Sequence, residues 1–442
     1  MNQFKRFFLS RTTIIFLIMS ALTAVTLSAL IPQSFLTSSE RMLAWQTAHP
    51  FAERLSELFG LHRIYTHPAF AVILGGVTIS LALSTWNQFL AAWRHTFNPD
   101  RGISNGECFS VSGTVADSCR TLAAKGYYRL GGTAEEVLLV RNPWGYWGNT
   151  LLHLGMMVTI AASLFIALTQ QRGVIHLAER AIRHSSEPLL MEEHGLLAKP
   201  LLLPQALRLD RIAYSFWPNH GVRQVASTIS FPGDSGTSET KTVEINRILT
   251  HRGIRYYQGV EFGHAFFVEV TSRTGDNRLY QLQIQHPETP DKPSYNDFQD
   301  LLGDGCLVRS KYWVDAERKS FDNVNPLLTL RLDCRGEEVG QIPIKVGEKG
   351  SIGPYKFHLR AFAPWSRLIV VNLSGMPGIF LGFFIICLGG VLHYFTTPRE
   401  AWVCGATASK SKICWRATKF AGFYQDELAS LKKTLGCVEN HG

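Results

Sequence analysis

The chain has 442 residues, enough for two or three domains, and averages 46% hydrophobic and 18% charged side chains. Its net charge of +9 does not call for nucleic acid, because an excess of Lys and Arg on the cytoplasmic side of a membrane accounts for it. The average hides a pattern. Apolar residues are concentrated in four runs, 12–31, 70–90, 151–168 and 379–395, that contain no Asp, Glu, Lys or Arg and approach the roughly 20 residues an α-helix needs to cross a bilayer.

Residues 1–11 carry Lys5, Arg6 and Arg11 as a basic leader. The run behind them is longer than the roughly 7–15 apolar residues of a cleavable signal and reaches Pro32 with no small-x-small site, so 12–31 reads as a retained anchor. The segment 32–69 is expected outside, and its stretch 34–66 reads either as an amphipathic helix on the membrane surface or as a plain loop. After a second span at 70–90, the segment 91–147 is expected inside as a small α+β unit: strand FSVSGTV, helix ADSCRTLAAKG, strand VLLVRNP. Arg94, Arg101, Arg120, Lys125 and Arg129 keep it cytoplasmic. Trp86, Trp93, Trp144 and Trp147 fall where an aromatic belt meets the interface.

A third span at 148–169 leads into 170–374, expected outside. VIHLAERAIR at 174–183 reads as a surface helix. Beyond it VASTISF, FFVEVTS, LYQLQIQ, LLTLRLD, QIPIKV and YKFHLRAF alternate apolar with polar residues, as half-buried antiparallel strands do. A fourth span at 375–396 precedes a cytoplasmic tail, 397–442, rich in Lys and Arg. The fold class is therefore a polytopic α-helical membrane protein with four transmembrane helices and a large extracytoplasmic all-β domain, a sandwich or open barrel.

Cys306 and Cys334 are the two cysteines expected in an oxidising compartment, and so the one expected disulfide. There is no CxxC, which removes a thioredoxin-like motif, a c-type haem attachment site and a paired-thiolate zinc site. GxSxG, P-loop and Rossmann glycine patterns are missing too. His220, His251 and His264 lack metal-ligand spacing, and His67 and His393 sit at interfaces where water solvates them. His153, one to two turns inside the third span, is different. An ionisable residue at that depth marks a pathway, a relay or a ligand by default, and a neutral imidazole is a common axial ligand of haem iron. On composition alone that reading stands level with a histidine hydrogen-bonded between helices for packing. Gly155 nearby permits close approach of a helix or a planar cofactor.

Several ordered strings resemble the ResB family, the larger membrane component of the System II machinery for cytochrome c maturation. These are LIPQ closing the first span, HP before the second, RNPWGYWGNTLLHLG into the third, VEINRILTHRGIRYYQG outside, and HYFTTPREAW after the fourth. SALIPQ and STWNQF depart from the family's usual strings and suggest a divergent branch. The resemblance implies a component of a membrane cytochrome c synthase complex that exports haem and supports its covalent attachment to apocytochrome c. It would be a subunit of a haem lyase complex rather than a self-sufficient enzyme. His153 matches the family's third-span histidine, implying an axial ligand to the iron of a transported haem b. The second ligand would come from a System II partner subunit with a tryptophan-rich motif; this chain has ten Trp but no Trp-Trp pair. The other implied partners are apocytochrome c and membrane lipid, with no nucleic acid, in a bacterial plasma (inner) membrane with both termini cytoplasmic. The alternative is a membrane-anchored extracytoplasmic receptor or assembly scaffold without haem. A membrane electron-transfer cytochrome is disfavoured, since no second mid-membrane histidine faces His153.

Overall fold

Among the described residues, four helices are long and apolar enough to cross a membrane: Arg11–Leu30, Pro68–Phe97, Pro143–Thr169 and Met376–Phe395. Side-chain and proline caps set where they begin. Ser10 accepts from the Thr13 amide at 3.2 Å, and His67 caps the second span by accepting from the Ala69 amide, with Pro68 in the first turn. Only 6% to 11% of the most apolar window of each span is buried within the protein. Phe16, Phe380 and Phe384 are exposed, so the solvent that suits these surfaces is lipid. Trp86, Trp93 and Trp144 are exposed as well.

The computed structural model describes residues 2–37, 39–99, 106–133, 135–232, 238–272, 274–299, 301–302, 305–407 and 409–437; Arg101 lies outside the described residues. The chain forms two units, Met1–Leu168 with Ser374–Gly442, and Thr169–Leu373.

Within the first unit the third and fourth spans meet along glycines. A Cβ on Gly155 would stand 2.7 Å from the Gly382 carbonyl, and one on Gly382 would stand 2.1 Å from Thr159 Oγ1. One heptad away, a Cβ on Gly389 would meet the Leu152 amide at 2.5 Å, and one on Gly148 the His393 amide at 2.4 Å. Small residues at heptad spacing on both helices let the backbones touch, the usual solution where lipid removes the hydrophobic drive for association. Of the two readings open for 34–66, the helical one is realised: Ser39–Ala48 and Pro50–Phe59 are helices. Glu53 ties them to the next turn, with His62 Nε2 at 2.9 Å and Gln46 Nε2 at 2.7 Å.

The segment read as a cytoplasmic tail folds. Arg399–Thr407 and Lys410–Ala417 are the central strands of a five-stranded antiparallel sheet, ordered Glu107–Ser112, Lys410–Ala417, Arg399–Thr407, Glu136–Arg141, Tyr128–Gly132. The helices Val115–Ala124 and Gln425–Leu435 pack on it through Leu122, Leu428 and Leu431, against Val111, Val403 and Ile413. Glu427 pins the second helix to the sheet through Arg141 at 2.9 Å and Arg399 at 3.3 Å. The register sets Cys108 opposite Cys414, and the two form a disulfide. The expectation of a single disulfide is thus corrected to two, because a sequence separation of 306 residues hides a pairing that the sheet makes adjacent.

The second unit is built on two strands of 18 residues, Ile254–Thr271 and Tyr355–Asn372, each about 60 Å long at the strand rise. They anchor a seven-stranded sheet, and a register shift between Gln258 and Phe262 interrupts their ladder. On one side of the shift, Phe266, Val268, Leu282 and Leu359 pack against Val308, Leu330 and Leu332 of a four-stranded sheet. On the other, Tyr256, Leu368 and Val370 pack against Leu209, Ile229 and Val243 of a second four-stranded sheet. One bent sheet therefore serves two sandwiches, and none of the sheets among the described residues closes into a barrel. Cys306 and Cys334, opposite each other in register, form the expected disulfide. The expected surface helix at 174–183 is instead largely a strand, Gln171–Ala178, paired with Trp365–Asn372. Its residues Val174, Ile175, Leu177 and Ala178 are all buried. A strand covered on both faces loses its alternation, and that imitates a helical pattern.

Two consequences are measurable. Gly155→Ala is expected to lower the thermal stability of the detergent-purified chain by about 1–3 kcal/mol through overpacking. Gly75→Ala, whose new methyl meets nothing within 4 Å, is expected to raise it by about 0.5–1 kcal/mol through helix propensity. Equal effects at the two sites would contradict the glycine seam. In the second unit, burial pushes the pKa of His264 down to about 3 and that of His286 down to about 4. The unfolded chain takes up these protons near pH 6.5 and the native unit does not, so the stability they contribute is full above about 6.5 and is lost as pH falls toward 4. Amide exchange at Phe266 and Leu282, corrected for intrinsic rate, should speed up from pH 7 to 4.5, and His286→Phe should weaken that dependence.

Candidate functional site

His153 lies in the helix Gly148–Thr169, half-buried, five residues from its first residue. The glycine seam commits one face of that helix to the fourth span. His153 turns toward the second span instead, where Ser84 Oγ lies 3.4 Å from its Nδ1. With Nδ1–H donating to Ser84, the Nε2 lone pair is left for another partner. Gly155, read as a site for a helix or a planar cofactor, is occupied by the fourth span, since the Gly382 carbonyl and the Ile386 amide fill the space beside it.

The contact between His153 and Ser84 is the inner end of a polar stripe. Gln88 and His95 follow Ser84 at helical spacing along the second span, and Asn149 stands one turn before His153 on the third. Gln88, His95 and Asn149 line a cleft of about 380 Å³ whose opposite wall is made by the strands after the fourth span, with Glu400, Arg416 and Lys419. Glu400, only 4% exposed, is fully engaged. Tyr146 donates to its Oε1 at 2.6 Å, and Arg416 donates to its Oε2 at 2.6 and 3.2 Å. His95 stacks on Tyr146 with ring centroids 5.1 Å apart. Lys419 Nζ lies 2.8 Å from His393 Nδ1, an imidazole that accepts from it, and no carboxylate among the described residues pairs with it. Burial pushes its pKa down, as expected of an ammonium without an anion.

The remaining histidines have structural partners. His67 caps a helix and His393 holds Lys419. His251 stacks on Phe231 at 3.9 Å, His264 is buried against the Tyr312 hydroxyl, and His220 occupies a turn at φ 64°. Among the described residues no three His, Cys, Asp or Glu side chains gather in a metal-binding group. Sequence reasoning missed Gln88, Asn149, Arg416 and Lys419. The spacing of Ser84, Gln88 and His95 was the one available signal, whereas the two cations reach the cleft only through pairing of distant strands.

The model of the ResB-like family matches residues 10–352. The chain is 24% identical over 365 residues to a protein of Synechococcus sp. (strain WH7803) named Cytochrome c biogenesis protein CcsB, covering 78% of this chain and 76% of that one. A protein of the same name from Synechococcus sp. (strain CC9605) is 22% identical over 369 residues, 80% of this chain and 79% of the relative. Another, from Picosynechococcus sp. (strain ATCC 27264 / PCC 7002 / PR-6), is 20% identical over 364 residues, 78% and 72%. With most of its length matched, from the first span into the large β-rich unit, this chain belongs to the ResB-like family.

Proposed function

We propose that this protein acts in cytochrome c biogenesis, as a membrane subunit that carries haem b outward and supports its attachment to apocytochrome c. The observation that carries this reading is a single imidazole, His153, set inside a membrane span with Nδ1 toward Ser84 and Nε2 open to a ligand, in a chain whose relatives are named for cytochrome c biogenesis. A neutral imidazole with a free lone pair suits iron ligation. Ser84 fixes the tautomer and ring orientation, as partners of ligating histidines generally do. Haem is cargo in this scheme. The second axial ligand comes from a partner subunit with a tryptophan-rich motif, and apocytochrome c receives the haem on the far side.

The proposed setting is the bacterial plasma membrane with both termini cytoplasmic, supported by Lys5, Arg6 and Arg11 before the first span and Lys410, Lys412 and Lys432 after the fourth. On this topology the unit from Thr169 to Leu373 faces outward, where the Cys306–Cys334 bond persists. The Cys108–Cys414 disulfide lies on the cytoplasmic side of this topology, where such a bond is rare and open to reduction.

In the detergent-purified complex with its partner, His153→Ala is expected to lower haem retention by more than the roughly tenfold that loss of an outer-shell partner costs. It should also shift the Soret band while leaving the protein in the membrane, with added imidazole restoring part of both. Ser84→Ala is expected to cost less than His153→Ala. An assembled wild-type complex that carries no haem while haem synthesis is intact would overturn the reading in favour of a haem-free scaffold.

A further inference from the structure

The cleft at the end of the spans has the charge of an anion seat. Its lining holds Lys419, Arg416 and His95 at the mouth, and Gln88 and Asn149, each one helical turn from the Ser84–His153 contact. From His153 to Asn149 is one helical turn, and to Tyr146 about two, so the mouth lies about 6–10 Å along the helix axis from the imidazole. That is the reach of a haem's carboxylate side chains from its iron. Between the two ends the second span presents Ala91 and Ala92 to the cleft, and small side chains there leave room for a flat ring edge.

The charges are unequal in a way that points outward. The Glu400 carboxylate is consumed by Arg416 and Tyr146, which leaves Lys419 as a half-buried cation whose one hydrogen-bond partner among the described residues is the ring of His393. His393 belongs to the fourth span and Lys419 follows the last strand of the small sheet, so the cation is held in place from two sides. A desolvated ammonium gains most from a charge-assisted hydrogen bond to an incoming carboxylate.

Resting on the haem reading above, we infer that this cleft seats the propionate carboxylates of the transported haem, with Lys419 as the cation that pairs with them and the Arg416–Glu400 pair as the fixed polar wall beside it. Haem then enters with its iron toward the membrane interior and its carboxylates at the cytoplasmic mouth. Lys419 selects for the free acid, and His153 selects for the metal.

The test is haem binding to the full chain, purified with its partner in detergent, using haem and haem dimethyl ester as probes. Wild type should bind haem about tenfold more tightly than the ester, the difference of one charge-assisted hydrogen bond. Lys419→Gln should lose that preference by weakening haem alone, and Lys419→Arg should retain most of it. His153→Ala should weaken both probes alike. If Lys419→Gln leaves the preference intact, or weakens haem and ester equally, the propionate seat is wrong while the haem reading stands on His153. If wild type binds neither probe, the haem reading itself fails. An anionic lipid phosphate offers the cleft the same chemistry. Native mass spectrometry in which Lys419→Gln releases phosphatidylglycerol, with the preference for haem over ester unchanged, would give the seat to lipid and overturn the assignment.

Discussion

The contact on which the membrane unit depends is the glycine seam between the third and fourth spans. Helices in lipid gain nothing from hiding apolar surface, so they associate where backbones can approach closely enough for dispersion to accumulate. Gly148, Gly155, Gly382 and Gly389 provide that approach, with Cβ positions that would lie 2.1–2.7 Å from the nearest opposing atoms. The antiparallel seam brings the start of the third span beside the end of the fourth. That juxtaposition lets Arg399–Thr407 pair with Glu136–Arg141, residue for residue from Arg399 against Arg141 to Cys404 against Glu136. The small sheet is thus a consequence of helix packing as much as of strand propensity.

The sheet in turn carries charge to the end of the bundle. Arg399, Glu400, Arg416 and Lys419 would be ordinary residues of a solvated tail if the last segment were unpaired. Folded, Glu400 and Arg399 are nearly inaccessible, and each has an opposite charge beside it, as burial requires. Breaking either pair would leave a charge stranded beneath the sheet, so these residues fix the register as well as the electrostatics. Ser118 and Ser411, buried and hydrogen-bonded at 2.8 Å, tie the helix to the same strand by the same logic. The second unit uses a different economy: its long strands change partners at the register shift near Gln258, and the Ser227 hydroxyl and the Gln258 amide both donate to Ser366 Oγ at that bend.

What the sequence made legible follows from which forces are local. A charge-free run of helix length needs no partner to be read, and neither does the alternation of VASTISF or LYQLQIQ, because lipid exposure and half-burial each write their pattern into consecutive residues. His153 was legible for the same reason: a titratable side chain contradicts its surroundings. The strand at Gln171–Ala178 was not, since coverage on both faces erased its period. The pairing of Cys108 with Cys414 and the folding of residues after the fourth span depend on neighbours hundreds of residues away, and no local pattern encodes them. Lys419 belongs to this class. In sequence it is one of many basic residues near the end of the chain, and only the fold separates it from the others by placing it against His393.

A lysine after the last strand lines a cleft that ends one helical turn from a histidine inside a span because the glycine seam and the strand pairing act in series. Each joins residues that the sequence keeps far apart, and neither suffices alone. The seam without the sheet would leave His153 facing Ser84 with no cations near it, and the sheet without the seam would hold cations with no Gln88 and Asn149 beside them. An amphiphilic, dianionic, metal-centred molecule needs both at once: a dry ligand for the metal and a wet, positive edge for its acids. On the haem reading proposed above, the polarity of the bundle, imidazole inward and ammonium outward, would set the orientation of such a cargo.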